Sequence, residues 1–518
     1  MVYKVIKIIY KHFNIIFKSN KNKMESQKDE LKDLKSSRTQ NALSLRKQKI
    51  DEYILKRRLG SNSLIYSITK EQVLVRPEYK DKKFNSLLDM LLFSSKVFQD
   101  PNSDINDIKL IICVIKESEI KNYIKKEVSE SNILKYICII IQKYINDINI
   151  VDELITILIN FTYYLTPEIN MNLITNDYMK SYSEISSKYF NDDIIFIDLI
   201  TLLGNLANDN PSAQKIFYNT KLFDEIYNLS KNEKAPIKRK EIAIFFLGNF
   251  SKGISKNKDL KNNINILEHL VDIMIDNIRN QKSNKICLVS LGELSEVKEI
   301  VEYIVTKKDF FDFLYENKNP EFYWSIDKIL VNLSFVSGKV NLFMIENYKS
   351  QIFPYIFRLL NSTSNMIKGQ GLFLLGNIID NEPCKLNEII NEAGFYDKIF
   401  ENLDSNSIDI IDKVTFIINV IVNSSDKAEI FKLYQKNIHL KLVNILKNSY
   451  NREIINRTVD AIIDFLQKDT QDGIIRQSLI DNRIKEILNN LEIDRNDADL
   501  CLKVEEVIKI FDNNYIGF

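Results

Sequence analysis

LITLLGNLANDN, at residues 199–210, decides the fold because the chain returns to it. IFFLGNFSKG at 244–253 and LFLLGNIIDN at 372–381 repeat its plan: an apolar run, a Gly-Asn pair, then a polar or Gly-containing turn. Looser copies stand at 155–164 (ITILINFTYY), 288–297 (LVSLGELSEV), 327–338 (DKILVNLSFVSG) and 416–425 (FIINVIVNSS). Aligned on the polar residue, they mark Asn160, Asn205, Asn249, Glu293, Asn332, Asn377 and Asn419, spaced by 45, 44, 44, 39, 45 and 42 residues. A unit of that length with one apolar run per turn of the period has faces too large to bury alone. Stacking on its neighbours buries them as a continuous ribbon of core.

The period matches the roughly 40–47 residues of armadillo or HEAT units, each of two or three helices. Only 12 Gly and 8 Pro punctuate 518 residues, too few for a fold rich in hairpins or Gly-rich phosphate loops. The expected fold is therefore all-α, a right-handed superhelical armadillo-repeat solenoid of about ten units over 79–511. The terminal units (79–118, 426–468 and 469–511) are expected to be irregular because their outer faces meet water. Residues 61–78 read as a linker and 512–518 as a tail.

Each marked run is expected to be the last helix of its unit, with Leu, Ile and Phe supplying the inward stripe. The Asn then recurs at one helical phase and faces one common side. A side-chain amide carries both a donor and an acceptor. A row of amides along a groove can hold the backbone of an extended peptide, and selectivity must come from pockets between the rungs. A single such Asn reads equally well as a helix cap or an exposed polar residue.

Charge is distributed unevenly. Residues 1–60 hold 16 Lys/Arg and 6 Asp/Glu, a net of +10, and the remaining 458 hold 55 and 64, a net of −9. A basic arm on an acidic body points to nucleic acid, to a membrane surface or to acidic protein surface as its partner. Five cysteines, at 113, 138, 287, 384 and 501, lack CxxC spacing and read as core thiols in a reducing compartment. His12, His269 and His439 stand apart from any ligand spacing. No metal site, cofactor, nucleophile–base constellation or phosphate loop is expected, so the protein reads as a non-enzyme. No run reaches the ~18 apolar residues of a membrane span. The opening MVYKVIKIIYKHFNIIF is broken by Lys4, Lys7 and Lys11, and residues 1–23 read either as an extension upstream of a start at Met24 or as an amphipathic helix for a membrane or organelle surface.

The arm carries an ordered motif. DEL at 29–31 precedes SSRTQNALSLRKQKIDEYILKRR at 36–58. This resembles the importin-beta-binding arm of the importin alpha family, whose hallmark is LRKxKxDE followed after a few residues by KRR. The match runs through Leu45, Arg46, Lys47, Lys49, Asp51, Glu52, Lys56, Arg57 and Arg58. LLGNLANDNPS is likewise similar to the family's second-repeat segment, and the resemblance covers roughly residues 25 to 510. It implies a ten-unit armadillo body that binds cargo carrying nuclear-localisation signals. It also implies an arm (24–60) in which Arg46, Lys47, Lys49, Lys56, Arg57 and Arg58 bind importin beta and, in its absence, fold back into the cargo groove. An export receptor is a further implied partner, direct nucleic-acid binding is not expected, and the implied location is cytoplasm and nucleus.

The chain departs from the family where the family places Trp, four residues before each Asn. Here stand Thr156, Thr201, Phe245, Val289, Lys328, Phe373 and Thr415, and the single Trp324 lies a turn before Lys328. Indole walls sandwich the stems of bound Lys or Arg at ~0.5–2 kcal/mol each, so their loss weakens a basic-signal site. Charge is kept better. By the resemblance, Asp209 matches the acid that selects the key lysine of the major site, Asp412 an acid of the minor site, and Glu296 follows the fourth rung. Lys328 and Lys252 match basic positions, and Gly338 stands where a minor-site acid is expected.

The signal-binding residues implied are Asn160, Asn205, Asp209, Phe245, Asn249, Glu296, Asn332, Phe373, Asn377, Asp412 and Asn419. Two functions remain open on sequence grounds: a nuclear import adaptor, or an armadillo scaffold of the same stock whose eroded ladder binds one dedicated protein.

Overall fold

The computed structural model describes residues 84, 86–117, 125–279, 283–317, 319–336, 338–391, 394–449, 451–469, 473–491 and 498–512. The arm, the extension at 1–23, the linker and the tail beyond Asp512 lie outside the described residues. Among the described residues every element is an α-helix or a short 3-10 turn, and the chain is an all-α solenoid of armadillo type. It divides into two compact units, one reaching Phe311 and one beginning at Asp312.

In the first unit the helices Ile105–Glu117 (α1), Ile148–Tyr164 (α2), Asp193–Ala207 (α3), Ile237–Ser251 (α4) and Asn284–Leu294 (α5) pack in sequence, each on the next. Between them the chain returns through shorter helices such as Ile133–Lys143, Lys221–Lys231 and Ile264–Asn277. In the second unit the corresponding helices are Pro320–Val336 (α6), Asn365–Asn381 (α7), Ile408–Ser424 (α8), Arg452–Gln467 (α9) and Ala498–Asp512 (α10). All seven marked polar residues fall within such helices, and the turn that closes most of the runs lies just past the helix end. The long Gly338–Leu360 segment is two helices joined at Tyr348, whose φ of −130° and ψ of 20° are not helical.

Local chemistry sets the boundaries. Asp192 opens α3 by accepting from the amides of Ile194 and Ile195 at 2.9 and 3.0 Å, and Asp147 and Asn451 do the same for α2 and α9. After α3, Asp209 turns the chain in the left-handed region (φ 50°), Asn210 caps the next helix by accepting from Ala213 N at 3.1 Å, and Pro211 takes the first helical position. Asn210 has a second role, donating to the carbonyl of Pro167, and Asn257 repeats it by donating to the carbonyl of Pro211 at 2.8 Å. Leu199, Leu203 and Leu206 of α3 and Leu247 and Phe250 of α4 are fully buried, at roughly 1.5–3 kcal/mol for each such side chain.

Glycine sets the helix-to-helix distance. A Cβ on Gly248 would stand 2.4 Å from Ile286 Cγ1 of α5, and one on Gly376 would stand 2.6 Å from Phe416 Cε1 of α8. The Gly of the Gly-Asn pair is thus where the next helix of the stack touches down.

Candidate functional site

The marked amides of each unit sit on helices that pack in sequence. Asn205 Nδ2 donates to Thr162 Oγ1 of α2 at 3.4 Å, and Thr162 follows Asn160 by two residues. Asn377 Nδ2 donates to Ser334 Oγ of α6 at 3.1 Å, and Ser334 follows Asn332 by two residues. A Cβ on Gly204 would lie 3.4 Å from Asn249 Nδ2 and 3.2 Å from Phe245 Cε1. Asn205 and Asn377 thus reach the preceding helix at a hydroxyl two positions past Asn160 and Asn332, and Asn249 reaches back toward Gly204, so these amides join neighbouring helices. Asn419 instead donates to the Arg457 carbonyl at 3.2 Å.

Burial changes what the row offers. Asn205, Asn249 and Asn377 are only 2%, 1% and 4% exposed, so as they stand they tie helix to helix and do not meet solvent. Asn160, Glu293, Asn332 and Asn419 are half-buried. Asn205 Oδ1 and Asn249 Nδ2 are buried without a hydrogen-bond partner, a cost of about 1–3 kcal/mol each that a ligand group reaching them would relieve.

Two acids at the expected phases, Asp209 and Asp412, already hold bases of their own chain. Asp209, exposed at its left-handed turn, pairs with Lys256 of the next repeat. Gly253 (φ 75°) makes room, because a Cβ there would collide with Asp209 Oδ1. Lys252 Nζ donates to Asn249 Oδ1 at 2.9 Å, and Glu296 accepts from Ser255 Oγ at 3.1 Å. In the second unit Asp412 pairs with Arg457 and with Lys413, the latter at 3.1 Å. Phe373 and Phe416 lie 6.3 Å apart, centroid to centroid, beside them.

At the Trp-replacing positions, Thr156 Oγ1 donates to Asp198 Oδ2 at 3.4 Å, Thr201 to its own helix at 2.7 Å, and Thr415 is buried. Lys328 is 5% exposed and so belongs to the packing of α6. Trp324 is half-buried. Lys256, Lys413, Phe416 and Arg457 went unnoticed in the sequence. For Lys256 and Arg457 the signal was a base one period, 47 or 45 residues, after an acid already marked; Lys413 directly follows Asp412, and Phe416 carried no such signal.

Below α6 lies a second polar cluster. Asp327, 1% exposed, accepts from the Tyr355 hydroxyl, and burial pushes its carboxyl up to about 6. Arg358 stacks between Tyr323 and Tyr355, 4.1 and 4.5 Å from their centroids, and borders a surface cavity of about 350 Å³ with Asp312, Tyr315 and Glu316. Burial also lifts the Cys138 thiol to about 12, which keeps it an unreactive core group. No helix among the described residues is long and apolar enough to cross a membrane, and no group of three metal-ligating side chains converges there.

No protein-family model matches the chain, and no curated protein matches it. Among solved structures, an engineered protein from the Northeast Structural Genomics Consortium is similar at 14% identity and a TM-score of 0.64, over 82% of this chain and 99% of that one. A designed armadillo repeat protein solved with the peptide (KR)4 matches at 18% identity and a TM-score of 0.40, over 47% of this chain and 99% of that one. The first of these shares the solenoid fold; the second adds nothing to the fold at that score.

Proposed function

We propose that the chain is a non-catalytic adaptor of the importin alpha kind, working between cytoplasm and nucleus. The face of the marked helices takes an extended partner peptide and the arm at 24–60 takes importin beta. The peptide-binding part is supported by the recurrence of the marked polar residue at one phase on helices that pack in sequence within each unit, with Asn160, Asn332 and Asn419 half-buried on them. The arm rests on its ordered motif alone, Arg46, Lys47 and Lys49 followed by Lys56, Arg57 and Arg58. An export receptor follows from the same family resemblance.

A pull-down of the full chain with importin beta tests the arm. Capture is expected for the wild type and is expected to be lost when Arg46, Lys47 and Lys49 are all changed to Glu. A panel of basic peptides tests the groove: a general carrier binds several of them and loses them on Asp209→Lys. Absence of capture by importin beta overturns the adaptor reading.

A second reading, a scaffold for one dedicated protein, is favoured by a specific observation. Asp209 and Asp412 are each neutralised by a base of the same chain, so neither offers an open carboxylate to an arriving lysine.

A further inference from the structure

Two phenyl rings and two carboxylates on α7 and α8 meet two cations belonging to the chain itself, Lys413 of α8 and Arg457 of α9. Lys413 Nζ lies 5.8 Å from the Phe373 centroid and 3.1 and 3.4 Å from Asp412 and Asp409. The Arg457 guanidinium pairs with Asp412 Oδ1, donates to the Asp412 carbonyl at 3.2 Å, and lies 5.7 Å from the Phe416 centroid. Gly376 admits the Phe416 ring, and Asn419 Nδ2 holds the Arg457 carbonyl at 3.2 Å. Asp412 keeps 13% of its side chain exposed, against 21% for Lys413 and 29% for Arg457. A largely buried carboxylate beside an aromatic face is the chemistry that recognises a lysine or arginine side chain. Here that chemistry is already answered, and the formal charges of Asp409, Asp412, Lys413 and Arg457 cancel.

We propose that this cluster is a cation subsite closed from within: Arg457, seconded by Lys413, occupies the place of a ligand's basic side chain and bars Lys/Arg-rich peptides from this end of the second unit. The proposal rests on the reading that the marked helices take an extended peptide. A tethered guanidinium competes at an effective concentration of about millimolar or more, so an incoming base must displace it and gains little from the exchange. Partners lacking a base at this point bind without that cost. The subsite becomes available to a basic side chain only when Arg457 is drawn away.

Fluorescence anisotropy on the full chain tests this, using a labelled peptide of four Lys-Arg pairs and an analogue with Gln at every charged position. Arg457→Gln is expected to tighten the Lys-Arg peptide at least about tenfold, the scale of one ion pair with a cation–π contact, and to leave the Gln analogue unchanged. Adding Asp412→Asn to Arg457→Gln is expected to cancel the gain. The measurements are repeated with Lys56, Arg57 and Arg58 changed to Ala, so that the arm does not mask the groove. Should Arg457→Gln fail to fold, Lys413→Gln leaves α9 untouched and carries the same test. Equal binding by wild type and variant overturns the plug and leaves peptide binding standing. No binding of either peptide by any chain overturns both.

Discussion

Asn377 hydrogen-bonds the hydroxyl of Ser334, 43 residues earlier on the neighbouring helix, at 3.1 Å, and is itself 4% exposed. The amide that reads in the sequence as a ligand contact is a rivet between repeats. Asn377→Ala is expected to destabilise the protein by about 1 kcal/mol, since the Ser334 hydroxyl keeps its bond to the Val331 carbonyl, and Ser334→Ala by about 1–3 kcal/mol, the cost of a buried amide donor stripped of that partner. Urea unfolding of the two single variants and the double variant measures their coupling. A residue serving only a ligand would leave the urea midpoint unmoved.

Gly248→Ala is expected to cost about 1–3 kcal/mol, because its methyl would fall on Ile286 of α5 at 2.4 Å and on the Ser290 hydroxyl at 2.9 Å. Gly376→Ala is expected to cost less in unfolding. There the obstacle is the edge of the half-buried Phe416 ring, which can swing aside. Comparison of the two urea midpoints checks the order.

His439 is buried against Tyr434 and Phe465 with its Nε2 2.9 Å from Ser478 Oγ, and burial lowers its pKa to about 4. From the ordinary 6.5 down to about 4 the unfolded chain takes up a proton that the folded chain refuses. This contribution is present in full above pH 6.5 and is lost as pH falls through that window, on the order of 2 kcal/mol by pH 4.5. Urea midpoints at pH 7.5 and 4.5 for wild type and His439→Gln check it, with a smaller difference expected for the variant.

Asp327 runs the other way. Its folded pKa of about 6 lies above the ordinary 3.8, so the folded chain holds the proton more tightly and stability declines as pH rises from 3.8 to 6. Asp327→Asn keeps an acceptor for Tyr355 and removes the buried charge. It is expected to raise the urea midpoint at pH 7.5, by on the order of 2 kcal/mol, and to change it little at pH 4.

The repeat and its helical class were legible because burial imposes a period on the apolar residues, and the seven marked positions landed on seven helices, four in the first unit and three in the second, stacked within each. The function of the Asn was not legible in the same way. Phase says which side Asn205 faces, but whether Thr162 or a ligand meets it depends on how closely α2 and α3 approach, which no local pattern states. Likewise Asp412 and Arg457 stand 45 residues apart, and only the register of α8 against α9 brings them into contact. The two roles of Asn210, cap and inter-repeat donor, show the same limit: the cap is local and readable, the bond to Pro167 is not.

The cancelled charges around Asp412 bear on kinetics as well as affinity. A surface whose carboxylates are each matched by a neighbouring base casts almost no field beyond a few ångströms, so it cannot draw a partner in from a distance. Encounter there should proceed at the roughly 10⁵–10⁶ M⁻¹s⁻¹ of unsteered collision and stay nearly flat across ionic strength.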